Sequence, residues 1–193
     1  DMVFPSTLER LFKRQVIEIK QELVLKEAIL RLKPIQDDVS LAVQNQYEEN
    51  PYPRWVNTRL EVKPLTIKQV MAQVELQVTN AIGFLSEEPQ ILIAGCGTGQ
   101  HAVETASRFK NSHIKAIDLS LSSLAYAKRK TEEFGITNID YLQADILDLG
   151  LLDKPFDIIE SVGVLHHMAD PIAGWKVLTN CLKPNGLMRI GLY

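Results

Sequence analysis

The sequence has few cysteines and no long apolar run. Cys96 and Cys181 are the only cysteines among 193 residues, which excludes a framework of several disulfides. No stretch reaches the roughly 20 apolar residues that a bilayer-spanning helix needs, and the charged, amphipathic N-terminus differs from a secretory signal peptide. We therefore expect a cytoplasmic protein without a membrane segment.

The chain also lacks an excess of positive charge. Its formal net charge is −3, which argues against a general nucleic-acid-binding surface. Apolar residues make up 46% of the chain and charged residues 23%, as in ordinary globular domains. This length and composition predict one domain with a sizeable core and a small appendage. From the patterns described below, we place the domain at residues 61–193 and the appendage, a helical extension with an aromatic loop, at residues 1–60.

The most informative stretch is Ile91–Gly99, with the sequence ILIAGCGTG. The apolar run Ile91–Ala94 has the length of a strand buried on both faces of a parallel sheet. Three glycines then occupy alternate positions, where they permit positive φ angles and close approach of a ligand. A helix is predicted from Gln100 to about Phe109. A strand, a glycine turn and a helix N-terminus in this order are typical of a nucleotide site.

The spacing of the glycines distinguishes between nucleotide classes. The dinucleotide fingerprint G-x-G-x-x-G requires a glycine at position 100, which is Gln here, and this argues against a nicotinamide-dependent oxidoreductase. The segment AGCGTG instead resembles the first motif of the class I S-adenosylmethionine (SAM)-dependent methyltransferases. That resemblance implies a Rossmann-like α/β fold, SAM as the cofactor, and a glycine turn close to the methionine portion of SAM. Cys96 within the turn is interpreted as a small filler beside the ligand.

Two acidic residues follow predicted strands at positions suited to a nucleoside. The strand Ile114–Asp118 ends in an acid whose carboxylate can accept both hydroxyls of a ribose. The alternative is that Asp118 caps the next helix, but Ser120 can fill that role. The following strand leads to Asp145. The resemblance implies that Asp145 accepts from the adenine amino group while Ile146 donates its backbone N–H; the alternative is that Asp145 is a solvent-facing turn acid.

The segment Phe156–Met168, FDIIESVGVLHHM, resembles the fourth motif of small-molecule methyltransferases of the ubiquinone-biosynthesis type. The resemblance implies that its strand, Phe156–Val162, ends beside the methyl group. His166 and His167 follow, and adjacent residues of a helix point about 100° apart, so we predict no metal site there. One of the two histidines is a candidate general base. A packed or capping histidine is an equally good interpretation.

Two functions suit such a site. The first is transfer of a methyl group from SAM to an unidentified acceptor, more often a small molecule. The second is a non-catalytic SAM-binding domain that acts in regulation or assembly. In either case the resemblance implies a cofactor site formed by Gly95, Cys96, Gly97, Gly99, Asp118, Leu119, Asp145, Ile146 and Val162.

The N-terminal 60 residues are predicted to be helical. A helix over residues 7–32 either packs on the catalytic domain or ends a preceding helical module, and a second helix spans residues 36–49. Tyr52, Arg54 and Trp55 follow in a loop stiffened by two prolines. They either pack on the domain or form a lid that offers Arg54 to a ligand carboxylate. The string YEENPYPRW resembles a segment that precedes the methyltransferase domain in a bacterial group often fused to tetratricopeptide repeats, which implies that such a module can precede this chain.

The remaining pattern completes the predicted sheet. Residues 66–85 predict a helix before the first strand, with an apolar stripe that includes Val74 and Val78. Near the C-terminus, LKPNG predicts a tight turn into a fifth strand, Leu187–Tyr193. Five strands alternating with helices predict a doubly wound parallel sheet. Because the resembling family has two further strands, we expect this sheet to be truncated after strand five.

Overall fold

The computed structural model describes residues 6–75, 86–152 and 155–192. Within these ranges the sheet has six strands: β1 (Leu30–Arg31), β2 (Gln90–Ala94), β3 (His113–Asp118), β4 (Ile139–Gln143), β5 (Phe156–Val162) and β6 (Leu182–Gly191). Their spatial order is β1-β4-β3-β2-β5-β6, and every neighbouring pair is parallel. The predicted doubly wound parallel sheet is confirmed.

Helices occupy most of the rest of the described ranges: α1 (Ser6–Phe12), α2 (Glu18–Ala28), α3 (Asp38–Glu49), α4 (Ile67–Gln73), α5 (Gln100–Arg108), α6 (Leu121–Glu133) and α7 (Pro171–Asn180). A π-helical turn, Lys13–Ile17, joins α1 to α2, and two 3₁₀ turns span Ile146–Leu151 and Leu165–His167. Among the described residues, no helix has both the length and the apolar character needed to cross a bilayer.

Strand β2 lies in the middle of the sheet and is buried on both faces, as predicted. Ile91 and Ile93 pack with side chains of α5 and α6. Leu92 and Ala94 pack on the opposite face with Leu178 of α7. Because layers on both faces exclude water from this strand, the glycine turn that follows it starts from a fixed position.

The N-terminal helix ends earlier than predicted. The prediction extended it to residue 32, but α2 ends at Ala28, and Leu30 and Arg31 form an edge strand that pairs with Leu142 and Gln143. The backbone of β4 offers unpaired hydrogen-bonding groups at this edge, while Ile29 is buried. Sheet pairing therefore overrides the local helical pattern.

The helix predicted over residues 66–85 is also shorter in the described part of the chain. It begins at the predicted cap, where the Thr66 side chain accepts from the Gln69 N–H and the Gln69 side chain accepts from the Thr66 N–H. It ends at Gln73, since Val74 is exposed and Glu75 has a φ of 54°. The predicted apolar position Val78, like the rest of the predicted helix from residue 76 onward, lies outside the described residues.

The LKPNG segment forms a bulge inside a strand instead of a turn before it. Leu182 already pairs with Phe156, and pairing resumes three residues beyond the expected register, between Leu187 and Ile158. Asn185, which has a φ of 65°, lies in the extra loop of backbone. The predicted fifth strand is therefore β6, and it begins five residues earlier than its predicted start.

Candidate functional site

A cavity of about 590 Å³ opens at the carboxyl ends of β2, β3 and β5. Strands β3 and β4 lie on one side of β2, and β5 and β6 lie on the other side. This reversal of direction leaves a crevice at the strand ends, which is where open α/β sheets bind ligands. Most of the sequence-predicted site residues line this crevice, and they come from different loops.

The glycine turn is held by hydrogen bonds to the neighbouring strand. The N–H groups of Gly95 and Cys96 both donate to the Ile117 carbonyl, at 2.9 and 2.8 Å. Gly97 has a φ of 52°, and a Cβ built on it would meet only the Tyr52 carbonyl, 3.9 Å away. The backbone at Gly97 is therefore open toward the cavity, so a ligand can approach it closely.

Gly99 has a different role from the one predicted. Its φ is 83°, and a Cβ at this position would lie 2.5 Å from the Ala127 Cβ. The glycine lets the start of α5 pack against α6, and it does not line the cavity. Gly97 and Gly99 thus serve two different purposes, an open backbone at the cavity and close packing of two helices.

Asp118 lies at the carboxyl end of β3 and joins the glycine turn to the cavity. Its Oδ2 accepts from the Gly97 N–H at 2.8 Å, and its Oδ1 accepts from the Ser120 N–H at 3.0 Å. Ser120 itself caps α6 by accepting from the Ser123 N–H, so Asp118 is not needed as that cap. Burial raises the pKa of Asp118 above its ordinary value, against the lowering effect of these hydrogen bonds.

Asp145 occupies the same edge one strand farther along. It is 4% exposed, which rules out the solvent-facing alternative. Its Oδ1 accepts from the Leu147 N–H at 3.0 Å and so caps the 3₁₀ turn that begins at Ile146. Asp145 and Ile146 both line the cavity, with the carboxylate held by its own turn.

Cys96 is a buried free thiol at the cavity. Burial, with the charge of Asp118 added, raises the pKa of Cys96 well above its ordinary value. The reactive thiolate is therefore suppressed. This agrees with the interpretation of Cys96 as a small filler beside the ligand.

Of the two adjacent histidines, one lines the cavity and the other does not. His167 lines it and His166 does not, although their ring centroids are only 4.1 Å apart. Burial and the neighbouring His166 lower the pKa of His167, which favours the neutral imidazole that can accept a proton. Within the described ranges, no group of three His, Cys, Asp or Glu side chains is placed to hold a metal ion.

The structure reveals a histidine–carboxylate pair that the sequence interpretation missed. His101, in the first turn of α5, places its Nε2 2.8 Å from Oε2 of Glu160, which is almost fully buried on β5. Thr105 donates its hydroxyl to the same oxygen at 2.7 Å, and Arg189 Nη1 lies 3.7 Å from Oε1. Burial by itself would raise the pKa of Glu160, but the hydrogen bond and charge of His101, helped by Thr105 and Arg189, lower it. A signal was present, since Glu160 directly follows the apolar residues Ile158 and Ile159 in a strand that was predicted to lead to the site.

The aromatic loop divides between two roles. Trp55 is buried and its Nε1 donates to the Thr98 carbonyl at 2.8 Å. Arg54 binds Glu22 and lies over the Tyr126 ring, so the suggested contact of Arg54 with a ligand carboxylate is wrong in this structure. Tyr52, in contrast, is 74% exposed and lines the cavity.

Comparison with known proteins gives this geometry a family. Residues 91–186 match the model of a family described as "Methyltransferase domain". The matched range contains the glycine turn, Asp118, Asp145 and all of β5. The chain carries a class I SAM-dependent methyltransferase domain.

Relatives of this methyltransferase domain include much longer proteins. An uncharacterized protein of Synechococcus sp. is 39% identical over 106 residues, which are 54% of this chain and 25% of the relative. A ubiquinone biosynthesis O-methyltransferase of Cereibacter sphaeroides is 27% identical over 144 residues, covering 69% of this chain and 56% of the relative. The chain thus spans from a quarter to just over half of these curated relatives.

Among solved structures, the [4+2]-cyclase SpnF matches with a TM-score of 0.57 at 22% identity, over 82% of this chain and 61% of its own. This likeness shows the fold alone. The methyltransferase domain brings together nearly all of the predicted cofactor residues at the cavity, namely Gly95, Cys96, Gly97, Asp118, Leu119, Asp145, Ile146 and Val162.

Proposed function

We propose that this chain binds SAM in the cavity and transfers its methyl group to a small-molecule acceptor. The observation that carries the proposal is the convergence of the open Gly97 backbone, Asp118 and Asp145 at adjoining strand ends. In this arrangement the glycine turn faces the methionine portion, Asp118 accepts the ribose hydroxyls, and Asp145 with the Ile146 N–H reads the adenine. We call this set of residues the cofactor wall.

The reaction needs positioning more than activation. The bond between the sulfonium and the methyl group breaks as the bond from the acceptor to the methyl group forms, and the sulfur keeps the electron pair. SAM supplies the electrophile, so the protein's residues hold the acceptor in line and exclude water. Val162, at the end of β5, and the neighbouring Val164 and Met168 give this part of the cavity an apolar lining.

An oxygen or nitrogen acceptor also loses a proton, and two cavity residues are placed to take it. His167 has a lowered pKa and is neutral near pH 7. His101 lies with its Nε2 2.8 Å from the buried carboxylate of Glu160, and this contact orients the ring. Together with Arg189, these residues form what we call the acceptor wall.

The similarity to a ubiquinone biosynthesis O-methyltransferase supports a small-molecule acceptor. The alternative is a SAM-binding domain without turnover, and the fold does not decide between the two because it also occurs in a [4+2]-cyclase. Turnover is the discriminating property, since the cofactor residues would be the same in both cases.

The test begins with calorimetric titration of the full-length protein with SAM and with S-adenosylhomocysteine (SAH). We expect saturable binding of both. Formation of SAH from SAM is then measured with a panel of phenols, carboxylic acids and amines. Absence of binding by the full-length protein overturns the proposal, whereas tight binding with no turnover on the whole panel favours the non-catalytic alternative.

A further inference from the structure

The segment between α3 and α4 lies against the glycine turn and is bonded to it in both directions. Trp55 Nε1 donates to the Thr98 carbonyl at 2.8 Å, and the Thr98 hydroxyl donates to the Pro53 carbonyl at 2.5 Å. Thr98 lies between Gly97 and Gly99 and is 2% exposed. One residue of the turn is thus fixed through both its backbone and its side chain.

The other face of Trp55 is anchored to α6. Its ring stacks on Phe134 with centroids 5.7 Å apart and meets the edge of Tyr126 at 6.3 Å. The Lys130 ammonium lies 5.0 Å from the indole centroid and donates to the Val56 carbonyl at 2.9 Å. The Tyr126 hydroxyl donates to the Trp55 carbonyl. These contacts leave the indole N–H in one position.

The segment is also tied to the N-terminal helix. Arg54 Nη2 donates to both carboxylate oxygens of Glu22, at 2.9 and 3.0 Å. Arg129 Nε of α6 donates to the same carboxylate at 2.9 Å. Both guanidinium groups lie over the Tyr126 ring, 4.5 and 4.9 Å from its centroid. The anchor of Trp55 therefore includes α2 as well as α6.

We infer that Trp55 is a positioning residue for the cofactor: through its hydrogen bond to Thr98 it holds the glycine turn in the conformation that presents Gly97 to Asp118. Trp55 itself does not line the cavity, so it acts through the turn and not by touching the ligand. The inference rests on the proposed SAM site. It also makes the N-terminal residues part of that site and not only a packing appendage.

The first test compares two tryptophan variants of the full-length protein by calorimetry with SAH. Trp55→Phe keeps an aromatic ring for stacking but removes the N–H donor. The loss of one neutral hydrogen bond predicts about 2- to 12-fold weaker SAH binding. Trp175→Phe is the matched control, because Trp175 is a half-exposed residue of α7 away from the cavity, and it should bind SAH like the parent protein.

Two further measurements separate positioning from general stability. Phe134→Leu removes the stacking partner but keeps the indole donor, so it should lower the melting temperature at least as much as Trp55→Phe while weakening SAH binding less. In addition, the emission of Trp55 is isolated as the difference between the Trp175→Phe protein and the protein that carries both Trp175→Phe and Trp55→Phe. SAH should change the emission of Trp55 with the same Kd as calorimetry, even though the indole lies outside the cavity.

The outcomes are distinct. If the parent protein does not bind SAH, the proposed function and this inference both fail. If the parent binds SAH but Trp55→Phe binds equally well, this inference alone is overturned. It is also overturned if the loss of SAH affinity is proportional to the drop in melting temperature in both Trp55→Phe and Phe134→Leu. A Trp55 emission that saturating SAH leaves unchanged would overturn it as well.

Discussion

The cofactor wall and the acceptor wall of the same cavity are built in different ways. The residues of the cofactor wall lie at or within three residues of the carboxyl ends of β2, β3 and β4. Backbone groups hold their carboxylates, as the N–H groups of Gly97 and Ser120 hold Asp118. The acceptor wall joins side chains from separate elements, as when His101 of α5 meets Glu160 of β5. The first wall depends on local backbone geometry, and the second depends on the completed tertiary fold.

The largest expected effect is on the cofactor wall. Asp118→Ala removes the proposed ribose acceptor and also the carboxylate that orients the Gly97 N–H. Because hydrogen bonds to charged groups contribute about 1.5–3 kcal/mol, we expect SAH binding to weaken by about 100-fold in calorimetry. Asp140→Asn, at an exposed carboxylate of β4, is the control and should bind normally. An Asp118→Ala protein that binds within a few-fold of the parent would contradict the assignment.

The next effect concerns the acceptor wall, where a change at Glu160 should lower the free energy of unfolding. Glu160→Gln leaves a buried amide in place of a carboxylate with three partners. We expect the free energy of unfolding in urea to fall by about 1–3 kcal/mol at pH 7. The exposed Glu88→Gln change is the control.

The difference in free energy of unfolding between the parent and Glu160→Gln should depend on pH, in the direction set by the pKa shift of Glu160. The pKa of Glu160 is lowered in the folded protein, so its contribution is complete above the ordinary glutamate value of about 4.3 and is lost as the pH falls below it. The gap between parent and Glu160→Gln should therefore narrow below that pH. A difference in free energy of unfolding that stays constant through the acid range would show that the charge of Glu160 does not cause it.

A smaller effect is expected from protonation of the cofactor wall. An ordinary aspartate has a pKa of about 3.9. Burial raises the pKa of Asp118, so its carboxylate takes up a proton at a higher pH than that. SAH affinity should fall by up to about tenfold as the pH is lowered toward that value. Asp118→Asn should remove this dependence. Equal acid sensitivity in the parent and the Asn variant would place the titrating group elsewhere.

The smallest change in SAH affinity is expected from the histidines of the acceptor wall, and it tests directly whether the two walls have separate roles. Single changes of His101 and His167 to Gln should leave SAH affinity within about twofold, because an exposed or partly exposed contact outside the binding determinants changes free energy by about 0.5 kcal/mol or less. The same variants should reduce turnover on any O–H or N–H acceptor found in the panel, by about 100-fold for the general base. A large loss of SAH affinity in His101→Gln would instead place that side chain on the cofactor wall.

The sequence predicted the parts of the site that depend on local order along the chain. Asp118 ends β3 and Asp145 follows β4, and the parallel sheet brings these strand ends to one edge, so their convergence could be predicted. The pair formed by His101 and Glu160 could not, because no local pattern shows that a residue of α5 faces one on β5. Gly99 was assigned to the ligand because its motif does not show that Ala127 packs against it.

The N-terminal region shows the same limit in the fold. The pattern around Leu30 favours a helix locally, and only the unpaired edge of β4 makes it a strand. The bulge at Asn185 has a similar origin, because the register between β5 and β6 is set by the whole sheet and not by the turn-forming residues. In both places long-range pairing decides the structure.

The short strand β1 has a consequence for any attempt to isolate the catalytic part of the chain. The predicted boundary at residue 60 passes between β1 and the strand it covers, and the Leu32 N–H continues that pairing to the Gln143 carbonyl at 2.9 Å. A protein shortened to residues 61–193 would present the bare edge of β4 to solvent, and such an edge readily pairs with strands of other molecules. It would also lack Trp55, so self-association and weak cofactor binding would arise together from a cut that the sequence alone makes look harmless.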